Sequence, residues 1–154
     1  MEELRVKDIM QTDVVAAGPD TTVEELADLL AEHRISGVPV VDGENRVIGV
    51  VSEADVIMQD ADLHFPHYVQ LLESIIYLES VRRFEERYRK AFGTKVADIM
   101  SKEVVTISPE APVREAATLM ADRGVNRLPV TERRHLVGIV TRGDIVRAIA
   151  ESKV

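Results

Sequence analysis

The sequence predicts an α/β chain in which one unit is written twice, with a helical insertion between the copies. Residues 6–45 align with 96–135 at an offset of 90, and 14 of the pairs are identical, among them Asp8, Ile9, Met10, Pro19, Glu25, Pro39 and Val40. After one deletion in a turn the offset becomes 89, and Gly49, Val51 and Asp55 meet Gly138, Val140 and Asp144. Within each copy the apolar residues switch between strand runs and helical spacing, in the same order both times. The insertion stands apart because all six aromatic residues (Phe65, Tyr68, Tyr77, Phe84, Tyr88, Phe92) lie in it.

Each copy opens on a short helical turn, Asp8-Ile9-Met10 or Asp98-Ile99-Met100, leading into an apolar strand at Val14-Val15-Ala16 or Val104-Val105-Thr106. Pro19 and Pro109 break the chain before a helix. Val23, Leu26, Ala27, Leu30 and Ala31 give that helix its apolar stripe, repeated by Val113, Ala116, Ala117, Met120 and Ala121. A strand follows around Val38-Pro39-Val40-Val41 and Leu128-Pro129-Val130. Asp42-Gly43-Glu44-Asn45 turns the first hairpin into Val47–Val51; Glu132-Arg133-Arg134 turns the second into Leu136–Val140. A last helix starts just past Ser52 or Thr141. In the insertion, Pro66 could start a helix with an apolar face through Tyr68, Leu71, Leu72, Ile75, Ile76 and Leu78, ended by Gly93. The expected divisions are 1–58, 59–94 and 95–154. A unit of about 50 residues is too small for a comfortable core alone. Two such units facing each other, with pseudo-two-fold symmetry, would solve that problem and create two equivalent clefts.

The 154 residues carry a net charge of −8 and no cysteine. Without thiols, disulfides and thiolate zinc sites are excluded, which fits a cytoplasmic protein. The N-terminus Met1-Glu2-Glu3-Leu4 has no signal-peptide character, and no run is long enough to cross a bilayer. The acidic balance argues against nucleic acid or an anionic membrane as partner. It is unevenly spread: −9 over 1–58, −1 over 59–94 and +2 over 95–154. An anionic ligand would meet least repulsion in the last third.

The double Gly-x-x-Ser/Thr-x-x-Asp, at Gly49–Asp55 and Gly138–Asp144, stands in register with Asp-Ile-Met and an apolar-Pro-Val. With these motifs the chain resembles a tandem pair of CBS domains, a Bateman module, over residues 4–58 and 95–151. The resemblance implies β-α-β-β-α units packed as a disc that commonly dimerises, with clefts for adenosine ligands such as AMP, ADP or ATP, and after them NAD or S-adenosylmethionine. Many such modules regulate an attached enzyme or channel; this chain looks like a stand-alone member with a regulated protein partner.

Thr141 and Asp144 are the leading candidates. An ionised Asp144 only accepts hydrogen bonds, so it suits both hydroxyls of a ribose. Thr141 stands at a helix start, where free N–H groups favour phosphate. Both could equally serve the helix as a capping box, which is compatible with binding. Arg127 offers a planar fork of donors for phosphate, where the matching position of the first repeat is Gly37. By the family pattern one site combines Met10, Val15, Ile35 and Ser36 with Arg127, Ile139, Thr141 and Asp144. The mirror site combines Met100, Val105, Val125 and Asn126 with Val50, Ser52 and Asp55, and should bind more weakly. The repeats hold no aromatic ring, so an adenine would lie between aliphatic side chains such as Val15, Ile35 and Ile139, with backbone groups reading its edge.

Asp60, Asp62, His64 and His67 have no recognised metal spacing, and no metal is expected. His33 and His135 lack a nucleophile or acid partner, and no catalytic constellation is evident. The sequence therefore favours a non-catalytic nucleotide sensor. The rival reading is a structural or oligomerisation module with empty clefts. The aromatic insertion would be either a partner surface or a helix packed on its own disc.

Overall fold

A computed structural model of the chain describes residues 3–59 and 94–152. The expected insertion helix, its aromatic face and the run from Asp60 to His67 lie outside the described residues.

The elements follow the predicted order. In the first repeat they are α1 (Val6–Ile9), α2 (Val23–His33), β1 (Gly37–Val41) and β2 (Val47–Ser52). A helix, α3, then begins at residue 53 and is described through 59. The second repeat gives α4 (Val96–Ile99), α5 (Val113–Arg123), β3 (Arg127–Glu132), β4 (His135–Thr141) and α6 (Arg142–Ser152). β1 pairs with β2, and β3 pairs with β4, as separate two-stranded sheets.

The predicted strands at 14–16 and 104–106 are corrected: neither residue run joins a sheet ladder. Each segment makes one parallel bridge just beyond it, Ala17 with Val40 and Ile107 with Val130. Ala17 N donates to Pro39 O at 3.0 Å, and Ile107 N to Pro129 O at 3.1 Å. The next rung would need residue 39 or 129 to donate its own N–H back to residue 15 or 105, and proline has none. The same two prolines thus mark the repeat and limit its third strand to a single rung. A smaller correction concerns the helical stripes. Ala31 and Ala121 are exposed, and Leu29 and Leu119 take up the half-buried flank instead.

Contacts sort the described chain into two compact units that exchange leading segments. One comprises Met1–Ala16, Val41–Gly49 and Lys102–Val154; the other comprises Ala17–Val40 and Val50–Ser101. They are called here the Asp144 unit and the Asp55 unit. The exchange has a hydrogen-bonding cause. In the Asp144 unit, Val6 N and Lys7 N donate to Ala111 O and Pro109 O at 2.8 and 2.9 Å, and Val113 N donates to Leu4 O at 2.9 Å. Start-of-helix N–H groups need such external acceptors. The Asp55 unit repeats the pattern, with Val96 N and Ala97 N on Thr21 O and Pro19 O at 2.8 and 3.0 Å. In both, the aspartate of Asp-Ile-Met serves the turn: Asp8 accepts from Arg5 N at 2.8 Å and Asp98 from Lys95 N at 3.0 Å.

The core of the Asp144 unit is aliphatic. Leu128, Val130 and Val140, each with 0% exposure, pack with Val6, Ala116, Met120 and Ile145. In the Asp55 unit Ala17, Leu26, Leu30, Val38, Val40, Val51 and Val96 are buried, together with Pro39. Burying such aliphatic side chains contributes about 1.5–3 kcal/mol each.

Candidate nucleotide site

The Asp144 unit assembles the better-equipped half of the predicted constellation. In the β3–β4 register Arg127 is the partner of Thr141 and Pro129 of Ile139, while Leu128 faces Val140. Cross-strand partners share a face, so Arg127, Ile139 and Thr141 lie on the side opposite the Leu128–Val140 core. Arg127, Ile139 and Thr141 are half-buried.

Thr141 and Asp144 form a reciprocal capping box at the start of α6. Thr141 N donates to Asp144 Oδ2 at 2.8 Å, and Asp144 N donates to Thr141 Oγ1 at 3.3 Å. The capping expectation therefore holds, and it anchors the carboxylate. The Asp144 side chain is only 3% exposed, and a buried charge of this kind has to be paired. Two residues that the sequence analysis did not single out do the pairing. The Arg147 guanidinium, itself 65% exposed, donates to Asp144 Oδ1. Gln11 Nε2 lies 3.2 Å from Oδ1 and 3.3 Å from Oδ2. The signal for both was present as a difference between copies: Gln11 aligns with Ser101 and Arg147 with Met58.

Met10 and Gln11 are held against β4 by its glycine. A Cβ at Gly138 would stand 2.6 Å from Met10 Sδ and 3.0 Å from Gln11 O. Gln11 and Ile139 exchange backbone hydrogen bonds at 2.8 and 2.9 Å. The Ile139 N–H is thereby committed to Gln11, and its carbonyl keeps one lone pair. Val15 is half-buried in the extended segment that follows. Ile35 and Ser36 belong to the Asp55 unit.

In the Asp55 unit, Asp55 Oδ2 accepts from Ser52 N at 2.8 Å and from Ser52 Oγ at 3.2 Å. Val50 and Ser101 exchange backbone bonds at 3.0 and 2.9 Å, as Ile139 and Gln11 do. Met100 is the C-cap of α4, matching Met10 on α1. Ser36 O accepts from Glu53 N at 2.8 Å. Of the other predicted mirror residues, Val105, Val125 and Asn126 fall in the Asp144 unit. There Asn126 is committed to α6: its carbonyl accepts from Arg142 N at 2.9 Å and its Oδ1 from the Arg142 guanidinium.

Two open grooves of the Asp144 unit lie at the other end of β4. One, of 770 Å³, is lined by Ser108, Thr131, Arg133 and His135; the other, of 410 Å³, by Val47, Lys102, Thr106 and Arg134. Neither includes Thr141 or Asp144. Among the described residues no group of histidine, aspartate and glutamate side chains could hold a metal ion. No described helix is long and apolar enough to cross a membrane.

The family model for the CBS domain matches residues 6–62 and 96–151. An uncharacterised protein of Methanocaldococcus jannaschii is 31% identical over 156 residues, covering 96% of this chain and 92% of that protein. The chloroplastic CBS domain-containing protein CBSX1 of Arabidopsis thaliana is 29% identical over 150 residues. That alignment covers 92% of this chain but 61% of the relative, so the chain spans about three fifths of CBSX1. Among solved structures, CBSX2 in complex with AMP is similar with a TM-score of 0.74 and 28% identity, covering 97% of this chain and 98% of that one.

Proposed function

We propose, because this chain belongs to the CBS-domain family as a tandem pair, that it is a ligand-sensing regulatory module binding an adenosine ligand and performing no catalysis. AMP, ADP or ATP is the proposed ligand, ahead of NAD and S-adenosylmethionine. The observation that carries the reading is the Asp144 carboxylate, fixed by Thr141 beside the cross-strand partner Arg127. A positioned acceptor suits a ribose diol, and a guanidinium suits phosphate. The similarity to CBSX2, whose structure holds AMP, supports the same ligand class.

Met10, Val15, Ile35 and Ser36 complete the proposed site with Arg127, Ile139, Thr141 and Asp144. The Asp55 site is proposed as the weaker one, since Gly37 stands where the other repeat has Arg127. A ligand shifts a conformational equilibrium only by its differential affinity for the two states. The regulated partner would read that shift, in a cytoplasmic setting suited to a chain without cysteine.

A homodimer belongs to the same proposal. It is supported by exposed apolar residues on the closing helix of each repeat: Ile57 and Met58, exposed by 64% and 60%, and Val146 and Ile149, by 58% and 59%. Light scattering that finds a monomer at micromolar concentration would remove it.

A thermal-shift series with AMP, ADP, ATP, NAD and S-adenosylmethionine tests the ligand reading. Ligand at 100 times its dissociation constant adds about 2.7 kcal/mol, a shift of several degrees in a chain this size. No shift from any of the five would favour an oligomerisation module with empty clefts.

A further inference from the structure

The carboxylate offered to a ribose is already occupied. Asp144 presents two oxygens with roughly four acceptor positions. The Thr141 N–H takes one on Oδ2, and that bond is part of the helix cap. Arg147, one turn along α6, takes another on Oδ1. Gln11 differs from both. Its amide straddles the pair, 3.2 Å from Oδ1 and 3.3 Å from Oδ2, in two long bonds. Gln11 is otherwise an exposed residue whose backbone, not its side chain, is fixed to Ile139.

A vicinal diol binds a carboxylate in the same straddling manner, one hydroxyl to each oxygen. We propose that the Gln11 side chain is a placeholder for the ribose diol on Asp144, and that its displacement sets the affinity and the diol preference of this site. The inference rests on the adenine-nucleotide reading above. The bonds that must break come from a neutral donor at long range, weaker than the bond in which the charged Arg147 guanidinium meets the carboxylate. The ligand therefore evicts Gln11 and leaves the cap and the ion pair in place. Without ligand, the amide keeps a buried carboxylate from losing an acceptor contact, which would be costly. The Asp55 copy has no such placeholder by composition: its matching residue, Ser101, carries no amide.

The test is calorimetric titration of the full chain with AMP and with 2′-deoxy-AMP, on wild type, Gln11→Ala and Gln11→Ser. Because the Gln11 backbone pairing does not depend on its side chain, both variants should fold, which thermal melting verifies; the serine variant reproduces the residue of the other repeat. The expected result is AMP binding tightened about fivefold in both variants, the size of one ordinary net hydrogen bond. A deoxyribose brings one hydroxyl and can share the carboxylate with Gln11, so 2′-deoxy-AMP should change by less than about twofold on the same scale. General loosening of the site would move both ligands together and would overturn the proposal. So would wild-type AMP binding that is lost in Asp144→Asn yet unchanged in the Gln11 variants; that outcome leaves the nucleotide reading standing. Absence of AMP binding in wild type and variants alike overturns both.

Discussion

Gln11 and Ile139 are joined by a reciprocal pair of backbone hydrogen bonds, 2.8 and 2.9 Å long, across 128 positions of sequence. The pair does two things at once. It fixes the segment after α1 on the outer edge of β4, and it commits the Ile139 N–H to the Gln11 carbonyl. The Ile139 side chain stays half-buried on the face it shares with Arg127 and Thr141. The same relationship between Val50 and Ser101 in the Asp55 unit shows that it is part of the repeat. What differs between the copies is the side chain added to this frame.

That difference predicts unequal sites. Asp144→Ala should abolish the AMP-induced thermal shift, whereas Asp55→Ala should retain most of it. Asp144→Ala also removes the acceptor of the Thr141 N–H and the partner of Arg147, at a cost of about 1–2 kcal/mol by comparison with other cap deletions. Urea melts with and without AMP separate the two effects. A shift kept in Asp144→Ala and lost in Asp55→Ala would reverse the assignment of the sites.

The order of elements was legible because Pro39, Pro129 and the two Gly-x-x-Ser/Thr-x-x-Asp junctions recur in register. The length of the first strands was not, since β-propensity at Val14-Val15 and Val104-Val105 says nothing about donors on the facing strand. The exchange of leading segments was equally hidden. It depends on which carbonyls meet the N–H groups of Val6 and Val96, a tertiary matter with no local pattern. For the site, the shared Ser/Thr-x-x-Asp pattern pointed to Thr141, which stands opposite Ser52, and to Asp144, but the residues that pair with the Asp144 side chain are ones where the copies disagree. A search for identity passes over Gln11 and Arg147.

The C-caps of α2 and α5 offer a matched pair for backbone strain. Arg34 has φ 53° and ψ 46°, and Gly124, its repeat partner, has φ 64° and ψ 36°. A left-handed conformation costs a non-glycine residue about 1–2 kcal/mol. Gly124→Ala should therefore destabilise the chain by about 1 kcal/mol, and Arg34→Gly should be neutral or stabilising. Nothing stands within 4 Å of a Cβ at Gly124, so the loss would report the backbone alone. Chemical denaturation of both variants checks the opposite signs.

Acid should loosen the docking of α1 on its unit. The Lys7 and Arg5 side chains both donate to the exposed Glu110 carboxylate and hold its pKa below the ordinary glutamate value. A folded-state pKa below the unfolded one gives stability that is complete above the ordinary value, about 4.3. It is lost as pH falls through the lowered value. Glu110→Gln should thus flatten the pH dependence of stability on the acid side and leave it unchanged near neutrality. High salt should have a similar flattening effect, because the pair is exposed and screened. An acid slope identical in Glu110→Gln and wild type would remove this account.

Gly138→Ala should do more damage than its single methyl suggests. The position is fully packed, and the added Cβ would stand 2.6 Å from Met10 Sδ and 3.0 Å from Gln11 O. The methionine side chain can swing aside, but the Gln11 carbonyl is held by Ile139 N at 2.9 Å. Overpacking at such a contact costs about 1–3 kcal/mol. Relief would come by pushing the Met10–Gln11 segment away from β4, which breaks the Gln11–Ile139 pair and withdraws the Gln11 amide from Asp144. The predicted signature is a combined one: a lower midpoint in urea and faster exchange of the Gln11 and Ile139 amides, with the Leu128 and Val140 core amides still protected. Hydrogen exchange read by nuclear magnetic resonance distinguishes that local release from general destabilisation, in which core and edge amides would exchange faster together.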